Sequence, residues 1–373
     1  MRFLSLFSGI EAASVAWEPL GWQAAGFAEI QPFACALLEQ RWPGVPNLGD
    51  VTRITRKQVA ALGPLDVVCF GAPCQDLSTA GKRKGLTNAD GSRTRSGLFF
   101  DGLRVFKWAR QACGARWALW ENVPGAYITN GGRDFAAVVG AMAGLANLAV
   151  PDCGWGTEGA ALGANGLLEW ACLDAQWFGL AQRRKRVFAL LDAGNWAGRG
   201  PVLLERESVR GHSAPRRKAG EGVTAGAGAG AACYGGGSRQ GIDVSPALLA
   251  HGGRFDFESG ALLVDVAPTL TAQSTGGGGP GGDFQYGGAL VPECRDGQRW
   301  AVRRLTPREC ERLQGFPDDY TRISYRGRPA ERCPDGPRFF ALGNSWPVPV
   351  ARWIGQRLAA AHAASSPASG RRA

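Results

Sequence analysis

Leu65–Ser78 reads LDVVCFGAPCQDLS, and the interpretation of this stretch decides the fold class. Val67, Val68, Cys69 and Phe70 form a short run of apolar, strand-forming residues. Such a run marks a strand buried on both faces. Gly71 ends it, and Pro73 stiffens the turn immediately before Cys74. A turn of this kind carries a thiol off the end of a strand, into the crevice where open α/β sheets hold ligands. Cys74 is therefore a candidate nucleophile, set against the plainer reading of a small buried hydrophobe.

Outward from this strand, residues 1–192 alternate short apolar segments with amphipathic ones. Strands are expected at Arg2–Phe7, Gln23–Glu29 and Trp117–Trp120 besides Leu65–Phe70. Helices are expected from Glu11, over Gln31–Arg41 and over Leu98–Arg110. The alternation predicts a parallel sheet with helices on both faces. After Asp192 the composition changes to runs such as GAGAG and GGGG, read as small strands and long loops with parts that order only on binding. Arg206, Arg210, Arg216, Arg217 and Lys218 lie there, either as a solvated basic loop or as phosphate contacts. Regular structure resumes at Thr306-Pro307-Arg308-Glu309, a capping box with proline at the first helical position, and that helix should reach about Gln314. A last helix is expected over about Val348–Ala361.

The length of 373 residues suits two domains, or one large domain with an insertion. A hydrophobic content of 45% with 20% charged residues supports a sizeable core. The net charge of +10, from 42 Lys plus Arg against 32 Asp plus Glu, favours a polyanionic partner or reflects a basic proteome. Ten cysteines occur without any C-x-x-C pair, and there are only three histidines. Zinc spacing is absent, so no metal is expected, and the cysteines read as reduced in a cytoplasmic setting. The apolar N-terminus is short and broken by Glu11, which reads as part of the fold and not as a leader. No stretch approaches the roughly 20 apolar residues of a membrane span.

Further candidates fall at the ends of the expected strands. Gly9, in LFSGIEAAS, would let a ligand approach the backbone at a strand-to-helix turn, or is an ordinary turn glycine. Glu29 ends the second strand, where a carboxylate can hold ribose hydroxyls. Asp50 follows Gly49 as a candidate partner for an exocyclic amine, and the alternative for both Glu29 and Asp50 is a plain surface carboxylate. Glu121, in WENVP, would share an edge with Cys74 if both strands are parallel, and the pair could perform nucleophilic addition with proton delivery. In AQRRKRVFALL, Gln182, Arg184 and Arg186 alternate, so a strand would place all three on one face, as a functional set or as the solvated face of a basic edge strand.

PCQ (Pro73–Gln75), ENV (Glu121–Val123), QRRKR (Gln182–Arg186), RRLTPRECERLQGFP (Arg303–Pro317) and GNSWPVPVARWIG (Gly343–Gly355) occur in this order behind LFSG. The set resembles the ordered motifs of DNA (cytosine-5) methyltransferases over about residues 1–192 and 303–358, in the style of phage and prophage members. The resemblance implies an α/β fold: a Rossmann-like S-adenosylmethionine-dependent methyltransferase domain with a smaller, irregular target-recognition domain inserted. The implied boundaries are 1–192 for the catalytic and cofactor domain and 193–335 for target recognition, with its Gly-rich variable part at 193–302. Residues 336–361 would be a C-terminal helix returning to the catalytic domain, and 362–373 would be a frayed tail. It also implies methyl transfer to C5 of a cytosine flipped out of duplex DNA. Cys74 would add to C6 and Glu121 would engage N3 and the exocyclic amine. Arg186, with Arg184, would hold O2. For S-adenosylmethionine it implies Phe7, Gly9 and Ile10 at the methionine and adenosine end, Glu29 at the ribose, and Asp50 with Val51 at the adenine. Pro73, Leu98, Asn344 and Ser345 would complete that pocket. Gln75–Gly97 resembles a mobile loop, with Lys82, Arg83 and Lys84 facing phosphates and Gly81 and Gly85 as hinges.

A restriction endonuclease partner is compatible with this family, and a monomer is expected. The chain departs from the family pattern at Glu11 and Ala12, where glycines are usual, at Ile30, where tryptophan is common, and at Trp346. Rival readings are a methyltransferase acting on transfer RNA, an idle DNA-binding scaffold, and a redox or hydrolytic thiol enzyme.

Overall fold

The computed structural model describes residues 1–73, 96–204, 290–295 and 299–365. Cys74, the loop cations Lys82, Arg83 and Lys84, the basic cluster Arg206–Lys218 and most of the Gly-rich stretch lie outside these residues. The chain divides into two compact units. The first holds Met1–Leu173, Lys185–Gly211 and Val350–Ala373, and the second holds Asp174–Arg184 and His212–Pro349.

The first unit is built on a seven-stranded sheet of order β2-β1-β3-β4-β7-β6-β5. The strands are β1 (Arg2–Leu6), β2 (Gln23–Ala28), β3 (Val67–Phe70), β4 (Trp117–Asn122), β5 (Glu158–Gly163), β6 (Gly166–Asp174) and β7 (Lys185–Asp192). From β2 to β4 the strands are parallel, as the alternation predicted. The sheet is nevertheless mixed, because β7 runs antiparallel to β4 and β5 antiparallel to β6. Periodicity along a strand carries no information on its direction, which is why the sequence reading expected a parallel sheet throughout.

Helices α1 (Ala12–Trp17), α2 (Pro32–Arg41), α3 (Arg56–Ala61), α4 (Phe99–Cys113) and α5 (Arg133–Ala143) connect these strands. Period-two alternation sends Val68 and Phe70, Ala118 and Trp120, and Val187 and Ala189 into one apolar cluster with Phe99, Leu103 and Phe106 of α4 and Phe135 of α5. Trp17 makes an edge-to-face contact with Phe3 at 5.0 Å. Its indole donates to the Ala351 carbonyl at 2.8 Å, which ties the last helix to this unit. Gly355 in that helix is obligatory, since a β-carbon there would lie 2.5 Å from the Trp17 ring.

The second unit contains a β8 (Leu290–Arg295) and β9 (Arg299–Arg304) antiparallel hairpin, α6 (Pro307–Gln314) and α7 (Asp335–Asn344). The capping box forms as expected: Thr306 Oγ1 accepts from the Glu309 N–H, and Glu309 Oε2 accepts from the Thr306 N–H at 2.7 Å. The last helix, α8, spans Val348–Ser365 and so continues past the expected end at Ala361. Arg116 donates to Ser365 Oγ, and Trp117 donates to His362 Nδ1 at 3.2 Å.

Candidate active site

Parallel pairing aligns the strand ends. Leu6 lies opposite Ala28 and Phe70, and Phe70 lies opposite Trp120. The next residue on each strand is therefore Phe7, Glu29, Gly71 and Glu121, in one row along the carboxyl edge. Adjacent strands are about 4.8 Å apart, so Glu29 on β2 and Glu121 on β4 stand roughly 14 Å apart. The chain leaves β1 for β2 and then returns to the other side of β1 as β3. The crevice at this switch point is where such sheets hold ligands.

At the β1 end the backbone turns sharply. Phe7, Gly9 and Glu11 all have left-handed φ, at 53°, 55° and 62°. A β-carbon built on Gly9 meets no atom of the described residues within 4 Å, which leaves space over this turn for a ligand. Ile10 is buried beneath it. Glu29 is 9% exposed and organises the neighbouring backbone. Its Oε2 accepts from the Gly9 N–H at 2.7 Å, and its Oε1 accepts from the N–H groups of Ile30 and Gln31 at 2.8 and 2.7 Å. A carboxylate has about four acceptor positions, so one is left for a hydroxyl.

Asn47, which the sequence reading missed, joins Glu29 to the Asp50 turn. Its side chain accepts from the N–H groups of Glu29 and Gly49 at 3.0 Å and donates to the Glu29 carbonyl at 3.1 Å. No periodicity signals a polar side chain bonding to distant backbone. Asp50 Oδ1 in turn accepts from the Thr52 N–H and hydroxyl at 2.9 and 2.8 Å. These bonds hold its carboxyl below the usual carboxylate range. Val51 is buried and Leu98, just before α4, is partly buried.

At the β4 end Glu121 is 8% exposed, and Arg186 Nε lies 3.1 Å from its Oε1. Glu121 is registered opposite Phe188, which makes Arg186 its diagonal neighbour across the strands. The adjoining Asn122 is 2% exposed and donates to the Ala72 carbonyl at 3.2 Å. That bond pins the β3 exit, and with it Pro73, against the Glu121 strand. Cys69, inside β3, is 1% exposed. Burial, then the nearby Glu11 carboxylate, pushes its thiol well up, so it is inert as a nucleophile.

The expectation that Gln182, Arg184 and Arg186 share a strand face does not hold. The strand begins at Lys185, so only Arg186 lies in it. Arg184 belongs to the second unit and is 1% exposed. Its Nη2 donates to the carbonyls of Gly343 and Ser345 at 2.9 and 2.7 Å, and its N–H donates to Asp174 Oδ1 at 3.0 Å. Gln314 of α6 donates to the Leu342 carbonyl at 3.0 Å. These bonds secure the turn that carries Asn344, which is exposed, and Ser345, which is buried.

Glu11 stands in the first turn where glycine is usual in the resembled family. It is fully buried and caps α1: Oε1 accepts from the Ser14 N–H and hydroxyl at 3.1 Å. Burial raises its carboxyl to about 7, only partly offset by hydrogen bonding from Ser5 and Ser14. A raised folded-state value means that its stabilising contribution is complete below the ordinary value of 4.5 and is lost as pH rises through about 7. Glu11→Gln keeps the capping oxygen and removes the ionisation. It is expected to stabilise the protein at pH 8 by on the order of 1–3 kcal/mol, with little gain at pH 4. Urea midpoints at the two pH values check this; equal shifts at both would show that ionisation is not the cause.

Among the described residues no helix is long and apolar enough to cross a membrane. The chain is 32% identical to a DNA N-6-adenine-methyltransferase of Escherichia phage P1, an alignment covering 95% of this chain and 60% of that protein. The chain thus spans less than two thirds of that relative. It is 27% identical to the type II methyltransferase M2.BsuMI of Bacillus subtilis, over 96% of this chain and 75% of the relative. The Entamoeba histolytica methyltransferase EhMeth matches in structure with a TM-score of 0.57 at 14% identity, over 96% of this chain and 97% of that one. The S. pombe Dnmt2 methyltransferase matches with a TM-score of 0.55 at 18% identity, over 96% and 99%. These likenesses establish the Rossmann-like methyltransferase fold. The profile of C-5 cytosine-specific DNA methylases matches residues 1–192 and 257–360, and the chain belongs to that family.

Proposed function

We propose that the chain methylates C5 of a cytosine flipped out of duplex DNA, using S-adenosylmethionine. The observation that carries this reading is the β3–β4 edge. Asn122 holds the Ala72 carbonyl, and Glu121 is ion-paired to Arg186 beside it. The residue after Pro73 is Cys74. A thiol and an oriented carboxylate thus follow from adjacent parallel strands, as addition to C6 with support at N3 requires.

S-adenosylmethionine, when bound, supplies the methyl group as an electrophilic sulfonium. The first unit's contribution to holding it is the open turn at Gly9, the Glu29 carboxylate for ribose hydroxyls, and Asp50 for the adenine amine. Ile30, 64% exposed directly after Glu29, offers an apolar surface for the base in place of the family's common tryptophan. Cys74 forms a bond to C6, which makes C5 electron-rich. Glu121 would deliver a proton to N3, which neutralises the negative charge that develops on the ring as the thiolate adds. C5 would then accept the methyl group, after which loss of the C5 proton to water and breaking of the sulfur–C6 bond would restore the aromatic ring and the free thiolate. Arg186 orients Glu121. Arg184 is assigned a positioning role, since its guanidinium serves the Gly343–Ser345 backbone.

The name of the phage P1 relative favours a second reading, methylation of adenine N6. Purified protein, methyl-labelled S-adenosylmethionine and mixed-sequence duplex DNA separate the two. Chromatography of the digested DNA is expected to recover the label in 5-methylcytosine, and bisulfite sequencing to confine it to one short motif. DNA carrying 5-fluorocytosine at that motif is expected to trap the protein covalently, because fluorine cannot leave as the C5 proton does. Label in N6-methyladenine, or active protein with no trapped band, overturns the cytosine reading.

A further inference from the structure

Asp50–Arg53 is a one-turn element closed at both ends. Its N-terminal end is capped by Asp50 itself, through Thr52. Its last carbonyls have no partner within so short a helix and need an external donor. Arg104 of α4 supplies it: Nη2 donates to the Val51 carbonyl at 3.0 Å and to the Thr52 carbonyl at 3.2 Å. The guanidinium is itself fixed from two sides. Asp101 Oδ1, on a side chain 8% exposed, lies 3.3 Å from Nη2, and the Trp108 ring lies 4.9 Å from the guanidinium carbon. Asn47 holds the opposite flank of the same turn at Gly49. The helix that carries Arg104 starts at Phe99, directly after Leu98. Arg104 therefore ties Asp50 and Val51 to the helix that follows Leu98, across some fifty residues of sequence.

We infer that Arg104 is a positioning residue for adenine recognition: through the Val51 and Thr52 carbonyls it fixes the turn that presents Asp50 to the exocyclic amine. This rests on the proposed role of Asp50 in holding S-adenosylmethionine. A carboxylate that accepts from an amine accepts nothing from a 6-oxo group, so the site should discriminate adenine from hypoxanthine. That discrimination depends on where Asp50 sits, and general loss of stability does not change it.

The test is calorimetric titration of the full chain with S-adenosylhomocysteine and with its 6-oxo analogue S-inosylhomocysteine. The wild type is expected to prefer the adenine compound by about tenfold or more. Arg104→Met keeps an apolar stem over Trp108 and removes the donors. It is expected to bring the preference to within about twofold, mainly by weakening the adenine compound. Arg104→Lys keeps the charge and a donating terminal nitrogen, but on a shorter stem that brings it less close to the two carbonyls Nη2 reaches, so an intermediate preference is expected. It gives the same reading should Arg104→Met fail to fold. A wild-type preference retained in the folded variants overturns the role of Arg104 and leaves Asp50 standing. A wild type that binds both compounds equally overturns the reading of Asp50 itself.

Discussion

Cys74→Ser is expected to lower single-turnover methyl transfer by about 10⁴-fold or more while changing the affinity for S-adenosylmethionine by less than about twofold. The two halves of this expectation come from different parts of the sheet edge. Affinity is assigned to the β1 and β2 ends and the Asp50 turn, where Gly9, Glu29 and Asn47 form one hydrogen-bonded set. Chemistry is assigned to the β3 and β4 ends. A serine hydroxyl in place of the thiol is a far weaker nucleophile near neutral pH unless a base activates it. The oriented group at this edge is Glu121, whose Oε1 is held by Arg186 at 3.1 Å and which is assigned to N3 of the base, not to residue 74. Single-turnover rates with labelled cofactor, alongside calorimetric affinity, measure both halves. Turnover within tenfold of wild type would remove Cys74 as the nucleophile. Loss of affinity in step with turnover would mean that the thiol supports the cofactor pocket instead.

The parts of this site that sit at strand ends were legible in the sequence because they need only two facts, period-two burial and a common strand direction. Glu29, Gly71 and Glu121 each follow an apolar run, and parallel pairing of β2, β1, β3 and β4 turns three sequence positions into one row. The direction of β7 was not legible. Its antiparallel pairing with β4 brings Arg186 to Glu121 from the opposite chain direction and leaves Arg184 outside the strand. Asn47 and Arg104 were invisible for another reason: both act on backbone groups far along the chain, and a side chain that donates to a distant carbonyl leaves no pattern around itself. Glu11 was visible only as a departure. Its meaning depends on complete burial against Ser5, Ser14 and Cys69, which composition cannot convey. The reading of 336–361 as one C-terminal helix does not hold, because the chain breaks between Asn344 and Val348, at Ser345-Trp346-Pro347, into α7 and α8.

At the other edge of the first unit, by contrast, Asp192→Asn is expected to cost about 3–5 kcal/mol of stability. Asp192 is the last residue of β7, registered opposite Trp117 at the start of β4, and it is fully buried. Arg116 Nε and Nη2 reach its two oxygens at 2.7 Å, Arg199 Nε reaches Oδ2 at 2.8 Å, and the Gly194 N–H donates to Oδ1 at 3.0 Å. Arg199, whose side chain is 1% exposed, also pairs with buried Glu169, whose Oε2 accepts from the Val202 and Leu203 N–H groups at 2.8 Å. Both guanidinium groups stack on the Trp117 ring, at 4.5 and 5.3 Å from its centroid. Burial works against the Asp192 charge, but the bonds from Arg116, Arg199 and Gly194 outweigh it and hold the carboxyl below its usual range. Asparagine keeps the shape and removes the charge, which leaves two desolvated cations with Glu169 as their remaining anion in the network. A domain stable by about 5–15 kcal/mol loses a large share of its margin in that exchange. Because the lowered value makes this stabilisation present above about pH 4 and lost below it, the variant should also show a flatter acid limb. Urea unfolding from pH 3 to 8 reads both effects. A loss under about 1 kcal/mol would mean that the network contributes no more than exposed ion pairs do. Affinity for S-adenosylmethionine should be unchanged in the folded variant, since the network sits at the opposite end of β4 from Glu121.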